Sequence, residues 1–343
     1  MKAQEVSHRF LDQEVLPRVS RFEAGLEQRV AAGMLGFGSD AFGLDDAISQ
    51  DHHWGPRVNL ILADEDSGKA DALQRALRDQ VPKEFEGLSV HHEDANRAGV
   101  TVEPVDRFFE LVLGIAQPPK SLVGWVGLCE ADLCHAVGGT LFVDPVGAFS
   151  QRLESFGYYP DKVWRKKIAD WLILMTSHGP YNLARCIKRG DDVASTLYLG
   201  ESVKRLMELG FMLNRRYAPY NKWLYRAFTT LPRLADDVAP LLNRSVTTSD
   251  WDDRLDALLT VLEIYMRDIY AQKLTKIDHL KPRDASIGLS ESQYDFAVEM
   301  LEGLPDDLVW ARFNEIERWE TTVKEVVLDP SWKTGFAFDE EGD

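Results

Sequence analysis

The segment Gly36-Phe37-Gly38-Ser39-Asp40-Ala41-Phe42-Gly43-Leu44-Asp45-Asp46-Ala47-Ile48-Ser49-Gln50-Asp51-His52-His53-Trp54-Gly55-Pro56-Arg57 holds the residue types whose order suits chemistry. At a Gly38-Ser39 turn the glycine lets backbone N–H groups approach an anion, and the serine hydroxyl adds a donor. After eleven intervening residues comes Asp51, just ahead of Arg57–Ala63, an apolar run that reads as a buried strand. A carboxylate at that place holds Mg²⁺, or Mn²⁺, against the phosphates the turn cradles. Phosphate cradle plus metal is the minimum for phosphoryl or nucleotidyl transfer. The plainer readings are a bare turn at Gly38-Ser39 and a loop acid or helix cap at Asp51.

These residues need elements to hold them. Residues 5–31 read as an amphipathic helix, with Val6, Phe10, Leu11, Val15, Val19, Phe22 and Leu26 on one stripe and Gly33 beyond its end. Met34-Leu35-Gly36-Phe37 is a short apolar run after it. A helix over 67–80 follows the buried strand, then β-type runs at 88–92, 100–105 and 140–143. Strands alternating with helices indicate an α/β layer. Past residue 150 the period becomes helical, with stripes through Trp164, Ile168, Trp171, Leu172 and Met175, through Val203, Leu206, Met207 and Phe211, and through Leu255, Leu258, Leu259, Leu262, Met266 and Ile269. The expected organisation is an α/β domain over 1–150 and an all-helical domain over 151–343.

Composition narrows the function classes. The chain has 343 residues, 45% hydrophobic and 28% charged, which suits a globular protein of two domains. No run is apolar for long enough to span a membrane, and the polar start Met1–Val15 does not read as a signal peptide. Cys129, Cys134 and Cys186 make no disulfide framework, so a reducing cytoplasm is the default. A net charge of −17 argues against general nucleic-acid coating. The charge is uneven: residues 152–233 hold 15 Lys/Arg and 7 Asp/Glu, a local +8. Arg185, Lys188, Arg189, Lys204, Arg205, Arg215, Arg216 and Lys222 dominate it, and such a surface suits a triphosphate. Tyr217, Tyr220 and Trp223 interleave with it and suit either base stacking or packing at a helix junction. The glycine spacing is wrong for a dinucleotide turn, and Cys129, Cys134 and His135 lack a second ligand pair for zinc.

Gly-Ser, a spacer, then acid–any–acid resembles the nucleotidyltransferase superfamily. Gly38-Ser39-Asp40, Phe42-Gly43, Asp45, Ser49, Asp51-His52 and Trp54-Gly55-Pro56-Arg57 resemble more closely one microbial family, a domain of unknown function on a nucleotidyltransferase-like fold. Phe142-Val143-Asp144 with Gly147 and Phe149, Tyr159–Trp164, and Phe211–Leu224 are similar to the same family. The resemblance spans residues 30–235 and implies an α+β nucleotidyltransferase-like domain with a small mixed sheet, followed by helices. It implies transfer of a nucleotide monophosphate from an NTP, ATP first, to an unidentified acceptor: a small molecule, a protein or an RNA end. On it, Gly38 and Ser39 hold the β,γ-phosphates, and Arg215, Arg216 and Lys222 neutralise them. Asp51 and His53 hold the metal, while Glu103 completes that site or acts as base, with Asp144 as the alternative.

His53 stands where the superfamily has a second carboxylate. Strand alternation keeps Asp51 and His53 on one face, and Asp45 or Asp46 is placed to supply the missing charge. Mg²⁺ prefers oxygen, however, and imidazole suits softer ions. An inactive nucleotide-binding module, in which His53 neutralises Asp51, is therefore the second reading. A partner-binding protein of toxin–antitoxin type is the third.

Overall fold

The computed structural model describes residues 2–46, 48, 54–90, 99–284 and 288–315. In chain order, α1 (Ala3–Phe10) runs through a π-turn, Leu11–Val15, into α2 (Leu16–Phe22). Then come β1 (Ala31–Leu35), β2 (Val58–Leu62), α3 (Ala70–Gln80), β3 (Glu84–Phe85), β4 (Leu88–Ser89) and β5 (Val100–Pro104). α4 (Val105–Leu113), α5 (Leu122–Val126), α6 (Glu130–Val137), β6 (Gly139–Val143) and α7 (Ala148–Ser155) follow. The remainder is helical: α8 (Asp161–His178), α9 (Pro180–Arg189), α10 (Asp192–Leu213), α11 (Asn221–Phe228), α12 (Ala235–Thr247), α13 (Trp251–Ala271), α14 (Ser290–Leu301) and α15 (Asp306–Trp310). These elements form two units. The first holds the chain up to Pro119, Leu128–Gly157, and Asn314 with Glu315; the second holds Lys120–Gly127 and Tyr158–Phe313. The fold is α+β, a small mixed sheet in the first unit and helices in the second.

In the first unit the strands lie in the order β5-β2-β1-β6. β1 is antiparallel to both neighbours, and β2 and β5 are parallel. Alternation sends Val58, Leu60 and Leu62 of β2 and Val100 and Val102 of β5 to one face. There they meet Val6, Phe10, Leu11, Val15 and Val19 of the leading helix and Leu73 and Leu77 of α3. The π-turn adds a residue to one helical turn, and Phe10 and Leu11 are both buried next to it.

The expected helix over 5–31 stops at Phe22. Gly25 takes a left-handed conformation, φ +86°, and Ala31–Leu35 becomes the fully buried strand β1. Gly33 ends the helical pattern in the sequence, and pairing on both sides with β2 and β6 makes the stretch a strand. The expected strand at 88–92 is described only as the short β4, with His91 and His92 outside the described residues. Pro104 ends β5, an edge strand, where its missing N–H leaves no ladder bond unmade.

The second unit buries the expected stripes: Trp164, Ile168, Trp171, Leu172 and Met175 of α8, Leu206, Met207 and Phe211 of α10, and Leu258, Leu262, Met266 and Ile269 of α13. Gly210 lets α10 pack closely. A Cβ there would sit 2.6 Å from Tyr265 Oη and inside contact distance of the Phe228 ring. Among the described residues no helix is long and apolar enough to cross a membrane.

Candidate functional site

β1 hands the chain to the Gly38-Ser39 turn. Gly38 takes φ +118°, a region closed to most side chains. A Cβ there would collide with the Asp40 carboxylate and approach Arg57 Nη2 to 2.9 Å. The collision arises because Arg57, at the start of β2, clamps the turn. Its Nε and Nη2 donate to the two Asp40 oxygens, each at 2.8 Å, and Nη2 also donates to the Phe37 carbonyl at 2.9 Å. Asp40 is buried, and its Oδ1 accepts the Ala41 N–H at 2.9 Å. The Arg57 N–H in turn donates to Ser7 Oγ of α1 at 3.1 Å. Ser39 is half-buried, and among the described residues its hydroxyl makes no hydrogen bond.

A second tie fixes the far end of the loop. Asp45 accepts from Trp54 Nε1 at 3.1 Å, from the Ala3 N–H at 3.1 Å and from Lys2 Nζ at 3.2 Å. Burial works to raise its pKa, but these three donors outweigh burial and leave it below the ordinary value. Both loop carboxylates therefore bind members of Trp54-Gly55-Pro56-Arg57. From α6, His135 packs on Phe37 and Phe42, with ring centroids 4.3 and 5.4 Å away. Burial pushes His135 down to about 4, against a hydrogen bond with the Gly36 backbone. At neutral pH the loop thus rests on an uncharged ring.

Asp51 and His53 lie outside the described residues. Glu103 pairs in register with Ile61, which pairs with Ala31. Continuing that register sets Leu35 level with Arg57 and Gly99, so Glu103 stands about 13 Å along the strand from that level, at roughly 3.3 Å per residue. The side chains nearer the turn on that face are Asn59 and Thr101. Asn59 accepts the Leu35 N–H at 2.9 Å and donates to Thr101 Oγ1 at 3.0 Å. Asp144 accepts from the N–H groups of Gly147 and Ser150 at 3.0 and 2.7 Å, and so caps α7. Asp46 accepts the Ile48 N–H at 3.0 Å. Of the predicted acids, the structure brings neither Glu103 nor Asp144 to the turn. Among the described residues no three His, Cys, Asp or Glu side chains gather as a metal site.

The basic stretch of the second unit is only partly a surface. Arg205, expected there, is buried; it pairs with Glu208 at 3.0 Å and lies over the Trp171 ring. Lys166 and Lys167 are buried too, the first on Asp170 and the second among the rings of Tyr159, Trp171 and Phe313. Aromatic and carboxylate partners on α8 and α10 draw these cations inward. Arg215 closes α10 at φ +50°, stacks 3.8 Å over Trp164 and pairs with Asp161 at 2.8 Å. Arg216 and Lys222 are exposed. Tyr217 and Trp223 are buried, which makes them packing residues, and Tyr217 meets Tyr158 and Tyr159.

Arg57, Asp40, Trp54 and His135 were not among the predicted site residues, although they frame the turn. A signal was present for the first three: the acids of the loop and the donors before β2 lie within one short segment. His135 had none, because its place depends on where α6 packs.

No curated protein matches the chain. A solved structure, that of a nucleotidyltransferase-like protein from Exiguobacterium sibiricum 255-15, is 11% identical, with 82% of this chain and 87% of that one covered and a TM-score of 0.33. Residues 125–224, from α5 to Leu224 of α11, match the family described as domain of unknown function (DUF4037).

Proposed function

We propose that the first unit binds the phosphates of an NTP, ATP first, at the Gly38-Ser39 turn, and that the protein transfers the nucleotide monophosphate to an acceptor hydroxyl. The observation that carries this reading is the built turn itself. It has a glycine with no room for a side chain, a serine hydroxyl without a hydrogen-bond partner among the described residues, and an Arg57–Asp40 clamp holding the backbone around them. Backbone N–H groups at such a turn meet phosphate oxygens without rearrangement, and the Ser39 hydroxyl adds a donor. Arg216 and Lys222 are exposed cations suited to a polyphosphate, whereas Arg215 is already engaged by Asp161 and Trp164.

A divalent ion belongs to this chemistry, but the described residues do not by themselves fit one. Asp40 and Asp45 are committed to Arg57 and to Trp54 with Lys2. A metal would therefore rest on Asp51 and His53, with Glu103 held too far along β5 by its register to join them. The same observation favours a second reading, a nucleotide-binding module without turnover.

One experiment separates the two. The protein is incubated with each α-labelled NTP, Mg²⁺ or Mn²⁺, and a cell extract, and NTP affinity is measured alongside. The transferase yields a labelled product and pyrophosphate, both lost in Ser39→Ala with Asp51→Asn. Affinity without product assigns the binding module. No affinity for any NTP overturns both.

A further inference from the structure

The sheet of the first unit has a second polar opening, at the end opposite the Gly38-Ser39 turn. β2 and β5 are parallel and both finish there, while β1 runs the other way and delivers the turn to the far end. At the finishing ends lies an open cavity of about 360 Å³ lined by Asp64, Val105, Pro118, Ala148, Gln151 and Arg152, among others. That volume falls within the roughly 300–1,000 Å³ of small-molecule sites.

α7 explains why the cavity is lined as it is. Its Phe149 is buried against Phe108 and Phe109, and Phe156, just beyond its end, stacks on Phe109. A separate stripe, Ala148, Gln151, Arg152 and Ser155, falls at helical spacing and faces the cavity with small and polar groups. Arg152 is largely covered. Its Nη1 donates to Asp106 at 2.6 Å and to the Ala116 carbonyl. A guanidinium has five N–H donors, and among the described residues Nε and Nη2 find no acceptor. Val105 is the first residue of α4, whose N-cap residue, Pro104, has no capping side chain, so the positive end of that helix opens on the same space. Asp64 at the rim is exposed, and among the described residues its carboxylate has no partner. Val105, Pro118 and Ala148 supply apolar wall.

We propose that this cavity is a second ligand site, for an amino or hydroxy acid with an apolar side chain. The ligand carboxylate is taken by Arg152 and the α4 N-terminus, its amino or hydroxyl donor by Asp64, and its side chain by Val105, Pro118 and Ala148. A planar guanidinium with two donors to spare matches a carboxylate in bidentate fashion. A carboxylate on the rim disfavours a ligand that is only anionic. The site is independent of the nucleotide reading.

The test is calorimetric titration of the full chain with L-phenylalanine, L-leucine, phenyllactate, 3-phenylpropionate and inorganic phosphate. L-Phenylalanine or L-leucine binds saturably, and 3-phenylpropionate, which lacks the donor, binds at least about tenfold more weakly, as expected for one lost charge-assisted bond. Arg152→Gln removes binding, and Asp64→Asn removes the preference over 3-phenylpropionate. Arg152 also ties α7 to Asp106, so Ala148→Leu provides a variant that fills the cavity without touching that bond; it weakens binding at least about tenfold as well. The proposal is overturned if none of the amino or hydroxy acids binds, if 3-phenylpropionate or phosphate binds as well as they do, or if binding survives Ala148→Leu.

Discussion

At the level of single residues, the turn after β1 is held by the Arg57–Asp40 pair, and among the described residues the Ser39 hydroxyl has no hydrogen-bond partner. Asp40 is only 4% exposed and gives both oxygens to one arginine. Arg57→Ala strands that carboxylate in the interior, so a loss of about 3 kcal/mol or more in unfolding free energy is expected, measured by urea titration. Arg57→Lys restores the charge but not the fork, and recovers only part of the loss. If Arg57→Ala melts like the wild type, the clamp does not hold the turn. The clamp was half legible in the sequence. Asp40 and Arg57 stand within the Gly36–Arg57 segment, yet residue types alone do not say which acid meets which base. The sequence places Asp45 to supply the charge that His53 lacks. Its place beside the start of α1 commits it to Trp54, Ala3 and Lys2 instead.

Whole elements carry two further expectations. α6 supports the loop through His135, which burial holds near 4 when folded against 6.5 when unfolded. A base whose folded pKa is depressed leaves the unfolded state binding more protons between those values. Stability therefore falls as pH drops from about 6.5 to about 4, by up to roughly 3 kcal/mol for this group. His135→Phe removes that part of the slope, as read from urea midpoints across the range; an unchanged slope would place the titration elsewhere. α10 offers an internal contrast. Gly210→Ala forces a methyl onto Phe228 and Tyr265 and is expected to cost about 1–3 kcal/mol. Gly200, on the same helix with nothing within 4 Å, gains helix propensity on the same change, about 0.5–1 kcal/mol more stable. Thermal melts of the two variants should move in opposite directions.

On the scale of the whole molecule, charge decides more than composition suggests. The net −17 combines a local +8 over residues 152–233 with −25 elsewhere. With Lys166, Lys167 and Arg205 buried, the cations left to meet an anionic partner are fewer than the sequence count. Self-repulsion of the acidic remainder is then the larger long-range effect near neutral pH. Raising salt from about 20 to about 200 mM shortens the screening length and should raise the melting temperature at pH 7.5. The increment should shrink towards the sequence pI of about 4.9. A melting temperature that falls with salt would show ion pairs outweighing repulsion.

The sequence by itself determined what depends on neighbours along the chain. The apolar run of β2, the helical stripes of the second unit and the Gly38-Ser39 turn follow from local period and from glycine's freedom at positive φ. Only the tertiary structure decided what depends on distant partners. Ala31–Leu35 is a strand because β2 and β6 flank it on both sides. Glu103 is held away from the turn because the parallel register of β2 and β5 fixes its level. Lys166, Lys167 and Arg205 are interior because aromatic rings and carboxylates of other turns and helices receive them. Pairings of this kind are set by packing between segments remote in sequence, and a local pattern carries no record of them.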